Sequence, residues 1–163
     1  MIITPTRCGS VTLHKILGNN SDFVIATTVE CGENTIHGTQ NSIDHTHFNI
    51  DRYVLLIRNP VDRIKSIFHH YSYINTKQFL NDFDQYDRRF KQCTSYLQKI
   101  DDTIKTENMR LDVDRIFNID FEQLDVIYDN YSEHMHSVDI NIFKSLSRTL
   151  YHKDILVGGY DIA

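Results

Sequence analysis

The chain has 163 residues, 40% hydrophobic and 24% charged, which suits one soluble globular domain, residues 1–163, with a sizeable core. A formal net charge of −5 at pH 7 gives no electrostatic footprint for nucleic acid or an anionic membrane, while leaving room for a local basic pocket. No apolar run approaches a membrane span, and MIITPTRCGS lacks the basic and long apolar regions of a signal peptide, so a cytoplasmic protein is expected.

In chain order, residues 1–4 are a short apolar start that reads as an edge or first strand. Thr4-Pro5-Thr6-Arg7-Cys8-Gly9-Ser10 reads as a tight loop, and Val11, Leu13, Ile16 and Leu17 predict a short helix stopped by Gly18-Asn19-Asn20. Gly9 lets the backbone approach a ligand, Ser10 and Thr12 offer hydroxyls, and the first N–H groups of the helix favour an anion, with Arg7 adding charge. A plain turn accounts for the same residues. One Gly and no Lys before the hydroxyl rule out a Walker A loop.

Residues 22–28 (DFVIATT) read as a second strand, and 29–49 as a polar, turn-rich stretch holding His37, His45 and His47. Tyr53 to Ile57 is a continuous apolar run that suits a strand covered on both faces of a parallel sheet. Arg58 ends it, Asn59 can cap a helix, and Pro60 fits the first helical position. Val61, Ile64, Phe68 and Tyr71 then make an apolar face, while Asn59, Arg63, Ser66 and His70 share a second one. Arg58 at a strand's carboxyl end, followed by a hydroxyl and a second cation on the helix, suits an anion; an ordinary surface Arg is the simpler account.

Tyr86, Phe90, Cys93, Leu97, Ile100 and Ile104 alternate steps of four and three, predicting one amphipathic helix over about 84–106. Residues 115–120 read as a further strand, 121–131 as a helix, and Asp139 as the cap of a last helix carrying Ile142, Phe143, Leu146 and Leu150, with 154–163 as a tail. Cys8, Cys31 and Cys93 are odd in number and widely spaced, without zinc or disulfide-framework spacing, so a reduced compartment and no metal site are expected.

Two stretches together resemble the cofactor motifs of the sulfotransferases that use 3′-phosphoadenosine 5′-phosphosulfate. Arg7-Cys8-Gly9-Ser10-Val11-Thr12-Leu13 is similar to the family's phosphosulfate loop, Lys/Arg-x-Gly-Thr/Ser-Thr-x-Leu, with Arg7 where many members have Lys and Val11 where Thr is common. Arg58, Asn59, Pro60, Arg63 and Ser66 match the second motif, in which an Arg and a Ser follow the first Arg by five and eight residues. The Gly-rich motif near the carboxyl end of cytosolic small-molecule sulfotransferases is not recognisable, and the match is closer to the carbohydrate and bacterial branch.

The resemblance implies a P-loop-like, three-layer fold: a central, mainly parallel sheet flanked by helices, with a helix-rich carboxyl-terminal half. It implies that Arg58 and Ser66 bind the 3′-phosphate and that residues 7–12 hold the 5′-phosphosulfate, leaving adenosine 3′,5′-bisphosphate as product. Asp44-His45-Thr46-His47-Phe48 resembles the His-x-His segment before this strand in some carbohydrate sulfotransferases, making His47 the first choice of base, then His45, then His37. General-base help is worth about 10² to 10⁴ in rate. Solvated loop histidines or a His-x-His metal pair are the simpler accounts. Residues 115–124 resemble the strand and Glu-Asp-Leu turn late in such enzymes; a Walker B strand ending in Asp120 lacks a Walker A partner.

The expected activity is sulfuryl transfer to a hydroxyl or amine of a carbohydrate or small-metabolite acceptor, with Arg7 and the amides of Gly9 and Ser10 stabilising transition-state charge. The alternatives are a P-loop-type nucleotide phosphotransferase or hydrolase, which would need Mg²⁺, and a non-catalytic nucleotide-binding module.

Overall fold

The computed structural model describes residues 1–17, 25–27, 35–36, 51–73, 75–83, 90–97, 99–119 and 139–163. Short apolar runs pair into a five-stranded sheet of order β3-β2-β1-β4-β5, made of β1 (Ile2–Thr4), β2 (Ile25–Thr27), β3 (Thr35–Ile36), β4 (Val54–Ile57) and β5 (Asp102–Lys105). β1 runs parallel to β2 and β4, β5 runs parallel to β4, and β3 pairs antiparallel with β2. Ile3 sits opposite Ala26 on one side and Leu55 on the other. All four residues of β4 are buried, as are Ile2 and Ile3, so both faces of the sheet are covered. Each such side chain contributes about 1.5–3 kcal/mol relative to exposure.

The helices are α1 (Ser10–Leu17), α2 (Pro60–His70), α3 (Thr76–Asp82), α4 (Met109–Phe117), α5 (Ile140–Leu150) and α6 (His152–Gly158). Asn59 Oδ1 accepts from Val61 N at 3.0 Å, and Pro60 opens α2 where its missing N–H is harmless. One core cluster gathers the sheet, Leu13, Ile16 and Leu17 of α1, and Met109, Val113 and Ile116 of α4. A second packs Ile64, Ile67 and Phe68 of α2 against Phe79, Phe90 and Phe143. Phe79 lies 5.5 Å, ring to ring, from both Phe68 and Phe143.

Strand order also locates a crevice. The chain leaves β1 for β2 on one side and returns to β4 on the other, so the order reverses between β1 and β4. In open parallel sheets, ligands bind beyond the carboxyl ends of the strands at such a switch point. The β1–α1 loop and the β4–α2 connection flank it.

Several sequence expectations are corrected here. Residues 2–4, read as an edge or first strand, are the first strand but lie in the interior, between β2 and β4, and not at an edge. No continuous helix spans 84–106: among the described residues, Cys93–Ser95 is a single 3₁₀ turn and 102–105 is β5. The Asp154 carboxylate accepts from Cys93 N at 2.6 Å and Thr94 N at 2.9 Å, satisfying these amides without a longer helix. Residues 115–117 end α4 instead of forming a strand, because buried Met109, Val113 and Ile116 continue a helical period into the segment. Asn118, at φ 54°, closes that helix in the left-handed conformation. The expected tail contains α6. The helix expected over 121–131 lies outside the described residues.

Candidate functional site

The loop between β1 and α1 is tightly turned: Arg7 has φ 62° and Gly9 φ 90°, and glycine is the residue that takes such angles without strain. A Cβ at Gly9 would lie 3.1 Å from Met109 Cε and 3.2 Å from Thr106 Cγ2. Three side chains from elsewhere hold three successive carbonyls of this loop. Arg63 Nε donates to Thr6 O at 2.9 Å, Arg58 Nη1 to Arg7 O at 3.0 Å, and Thr106 Oγ1 to Cys8 O at 2.7 Å. Thr106 Oγ1 also lies 3.0 Å from Ile57 O, tying the loop to the end of β4.

With the carbonyls thus engaged, the loop runs into α1, where Gly9 O accepts from Leu13 N at 3.0 Å. By helix geometry the amides of Ser10, Val11 and Thr12 have no carbonyl one turn back within α1, which makes this end favourable for negative charge. Ser10 and Thr12 are half-buried and Val11 is exposed.

Arg7 reaches across to α2. Its Nε donates to Ser66 Oγ at 3.0 Å, and Nη1 lies 3.3 Å from His70 Nδ1. The two stretches singled out in the sequence, 7–12 and 58–66, thus meet at the switch point. Arg7, Arg58 and Ser66 are drawn into one hydrogen-bonded group, with Ser66 buried. The Cys8 side chain points into the core against Cys93, so only its backbone faces the loop. His37, His45 and His47 lie outside the described residues.

Arg63 occupies a different position from the one its helical face suggested. It is 1% exposed, donates to Lys91 O as well as Thr6 O, and stacks over Tyr151 at 5.9 Å. Burial works against its charge, while the neighbouring Cys93, Cys8 and Tyr151 raise its pKa above the ordinary arginine value. It braces the loop.

A cavity of about 510 Å³ opens beside the loop, walled by Thr12 and Ile16 of α1, Arg58, Asp62 and residues 106–111. This falls within the usual range of small-molecule sites. Arg58 therefore has one N–H on the loop and a place in the cavity wall. Glu107 Oε1 accepts from Asn59 N at 2.7 Å and Oε2 from Tyr160 Oη at 3.0 Å. Burial, then the Glu107 charge, pushes the Tyr160 pKa up, so this phenol stays a donor.

Sequence reasoning missed Thr106, Glu107 and Asp154. The acidic turn expected after a strand at 115–120, at residues 121–124, lies outside the described residues, while β5 is followed directly by the turn Thr106-Glu107-Asn108. The signal was weak because β5 buries one residue, Ile104. Among the described residues, no group of three or more His, Cys, Asp or Glu is placed to hold a metal ion, and no helix is long and apolar enough to cross a membrane. No protein-family model, curated protein or solved structure matches this chain.

Proposed function

We propose that the crevice between β1 and β4 binds 3′-phosphoadenosine 5′-phosphosulfate on a P-loop-like α/β framework, and that the chain transfers its sulfuryl group to a hydroxyl or amine of a carbohydrate or small metabolite. The observation that carries this reading is the union of the two motif stretches: Arg7 Nε on Ser66 Oγ at 3.0 Å and Arg58 Nη1 on Arg7 O at 3.0 Å. Residues about fifty positions apart, each suited to an anion, converge on the one edge of the sheet where strand order reverses.

In this reading Arg58 and Ser66 take the 3′-phosphate, and a bound phosphate competes with Arg7 for the Ser66 hydroxyl. The amides at the start of α1 and the Arg7 guanidinium face the 5′-phosphosulfate and stabilise charge that grows on its oxygens in the transition state. One such donor is worth about 10² to 10³ in turnover. The loop geometry is set in advance by Arg63, Arg58 and Thr106, so little reorganisation accompanies reaction. His47, with His45 and His37 behind it, takes the acceptor's proton.

Thermal-shift titration with adenosine 3′,5′-bisphosphate, run beside ADP and AMP, tests the reading. A ligand at a hundred times its Kd stabilises the fold by about 2.7 kcal/mol. The expected result is stabilisation by the 3′,5′-bisphosphate alone, lost in Arg58→Ala. An equal response to ADP, or none to any nucleotide, overturns it. For the base, His47→Ala is expected to retain binding and lose about 10²-fold or more in turnover; an unchanged rate passes the role to His45 or His37.

A further inference from the structure

Two cysteines 85 residues apart in sequence meet in the core. Cys8 and Cys93 are free thiols, each 0% exposed, with sulfurs 3.4 Å apart. Cys8 lies inside the loop that Arg63, Arg58 and Thr106 hold by its carbonyls. Cys93 opens the 3₁₀ turn whose amides are fixed by Asp154. Both ends of the pair are therefore anchored, and the sulfurs face each other without any rearrangement of the sheet.

We infer that Cys8 and Cys93 are a peroxide-responsive pair that closes to an intramolecular disulfide, tying the β1–α1 loop to the turn at Cys93–Ser95. Hydrogen peroxide is the oxidant small enough to reach thiols this deeply covered. The Cys8 sulfur attacks one peroxide oxygen, the O–O bond breaks, and the departing hydroxide takes a proton to leave as water and Cys8 sulfenic acid. The Cys93 sulfur then attacks the Cys8 sulfur, the S–O bond breaks, and a second water carries off the Cys93 proton. Two thiols are oxidised to one disulfide while one peroxide is reduced to two waters.

The local charges assign the order. Burial opposes a Cys8 thiolate, but the hydrogen bond from Cys93 and the positive charges of Arg63 and Arg58 outweigh it and lower the Cys8 pKa. Burial, together with the hydrogen bond to Cys8 and the Cys8 charge, raises that of Cys93 well above its ordinary value. Cys8 is accordingly the attacking thiol and Cys93 the resolving one.

Closure to a bond length of about 2.05 Å brings the two sulfurs roughly 1.4 Å closer than their 3.4 Å separation, a movement shared between side-chain rotation and the loop and turn that carry them. If the proposed anion site is correct, on which this consequence rests, the amides after Gly9 shift away from their working positions, and displacement by about an ångström is enough to cost on the order of 10²-fold in a positioned site.

The test treats the full chain and a Cys31→Ser variant with hydrogen peroxide, then counts free thiols after denaturation and maps peptides by mass. The expected result is a fall in free thiols from three to one in the unaltered chain and from two to none in Cys31→Ser, a linked peptide carrying Cys8 and Cys93 lighter by two hydrogens, and recovery with dithiothreitol. Unchanged thiols, thiol loss without that link, or a link through Cys31 overturns the inference. Thermal shift with adenosine 3′,5′-bisphosphate is then compared before and after oxidation. A response present only in the reduced protein supports gating of the loop, and an equal response in both overturns gating. No response in either form counts against the proposed cofactor, while the thiol count still decides the pair.

Discussion

Arg63 shows how a single side chain sets the geometry of the candidate site without lining its cavity. Its guanidinium spans two carbonyls, Thr6 O and Lys91 O, on segments that make no helix or strand with each other. An ammonium is a point donor on a flexible stem and does not reproduce this fork. Arg63→Lys is therefore expected to destabilise the protein by about 1.5–3 kcal/mol, the worth of a charge-assisted hydrogen bond lost in a buried setting. A urea titration reads this as a lower midpoint; an unchanged midpoint would show that one donor suffices.

Arg58 works at the same scale but with a different balance. It is half-buried, holds Arg7 O with one N–H, and lines the cavity, so its removal is expected to be felt in ligand binding more than in folding. Gly9 belongs beside it, since its φ of 90° strains any residue with a side chain and a Cβ there would press on Thr106 and Met109.

Among the elements, α6 has the largest influence for its size. It is seven residues long and partly exposed, yet it supplies Asp154, which is 1% exposed and accepts from Cys93 N, Thr94 N and Thr94 Oγ1. Those bonds fix the turn against which Cys8 packs. Asp154→Asn keeps the shape but turns an NH₂ toward backbone donors, leaving one of them unsatisfied. A loss of roughly 1–3 kcal/mol follows, read as a shifted urea midpoint with an unchanged slope. A neutral result would show that the turn holds without α6.

The strands and helices near the site were legible to different degrees. β4 and α2 follow from a continuous apolar run, a capping Asn and Pro60, signals that are local and reinforce one another. β5 carries only one buried residue and takes its strand form from pairing with β4 along Asp102–Lys105. The helical spacing from Tyr86 to Ile104 was real in the sequence. Asp154 and Arg63 nevertheless satisfy the backbone around 91–94 from outside, and tertiary bonds prevail over a weak local preference there.

Across the molecule, the aromatic cluster of Phe68, Phe79, Phe90 and Phe143 joins α2, α3, α5 and the segment before the 3₁₀ turn. Phe79 touches four of the rings around it at centroid distances of 5.1 to 5.8 Å, to Tyr73, Phe68, Phe143 and Phe90. Phe79→Ala is expected to cost about 3–5 kcal/mol, a large share of the roughly 5–15 kcal/mol that holds a domain together. Differential scanning calorimetry checks it; a small change in melting temperature would mean that the cluster collapses around the gap.

Sequence alone determined the α/β class and the strand-loop-helix at each end of the candidate site, because turn residues and apolar periodicity are written in neighbouring positions. Only the tertiary structure decided that β1 is interior, that Arg63 is a brace, that Glu107 follows β5, and that Cys8 meets Cys93. Those facts depend on which distant groups satisfy a buried carbonyl, amide or thiol, and no spacing within a single stretch of chain encodes that choice.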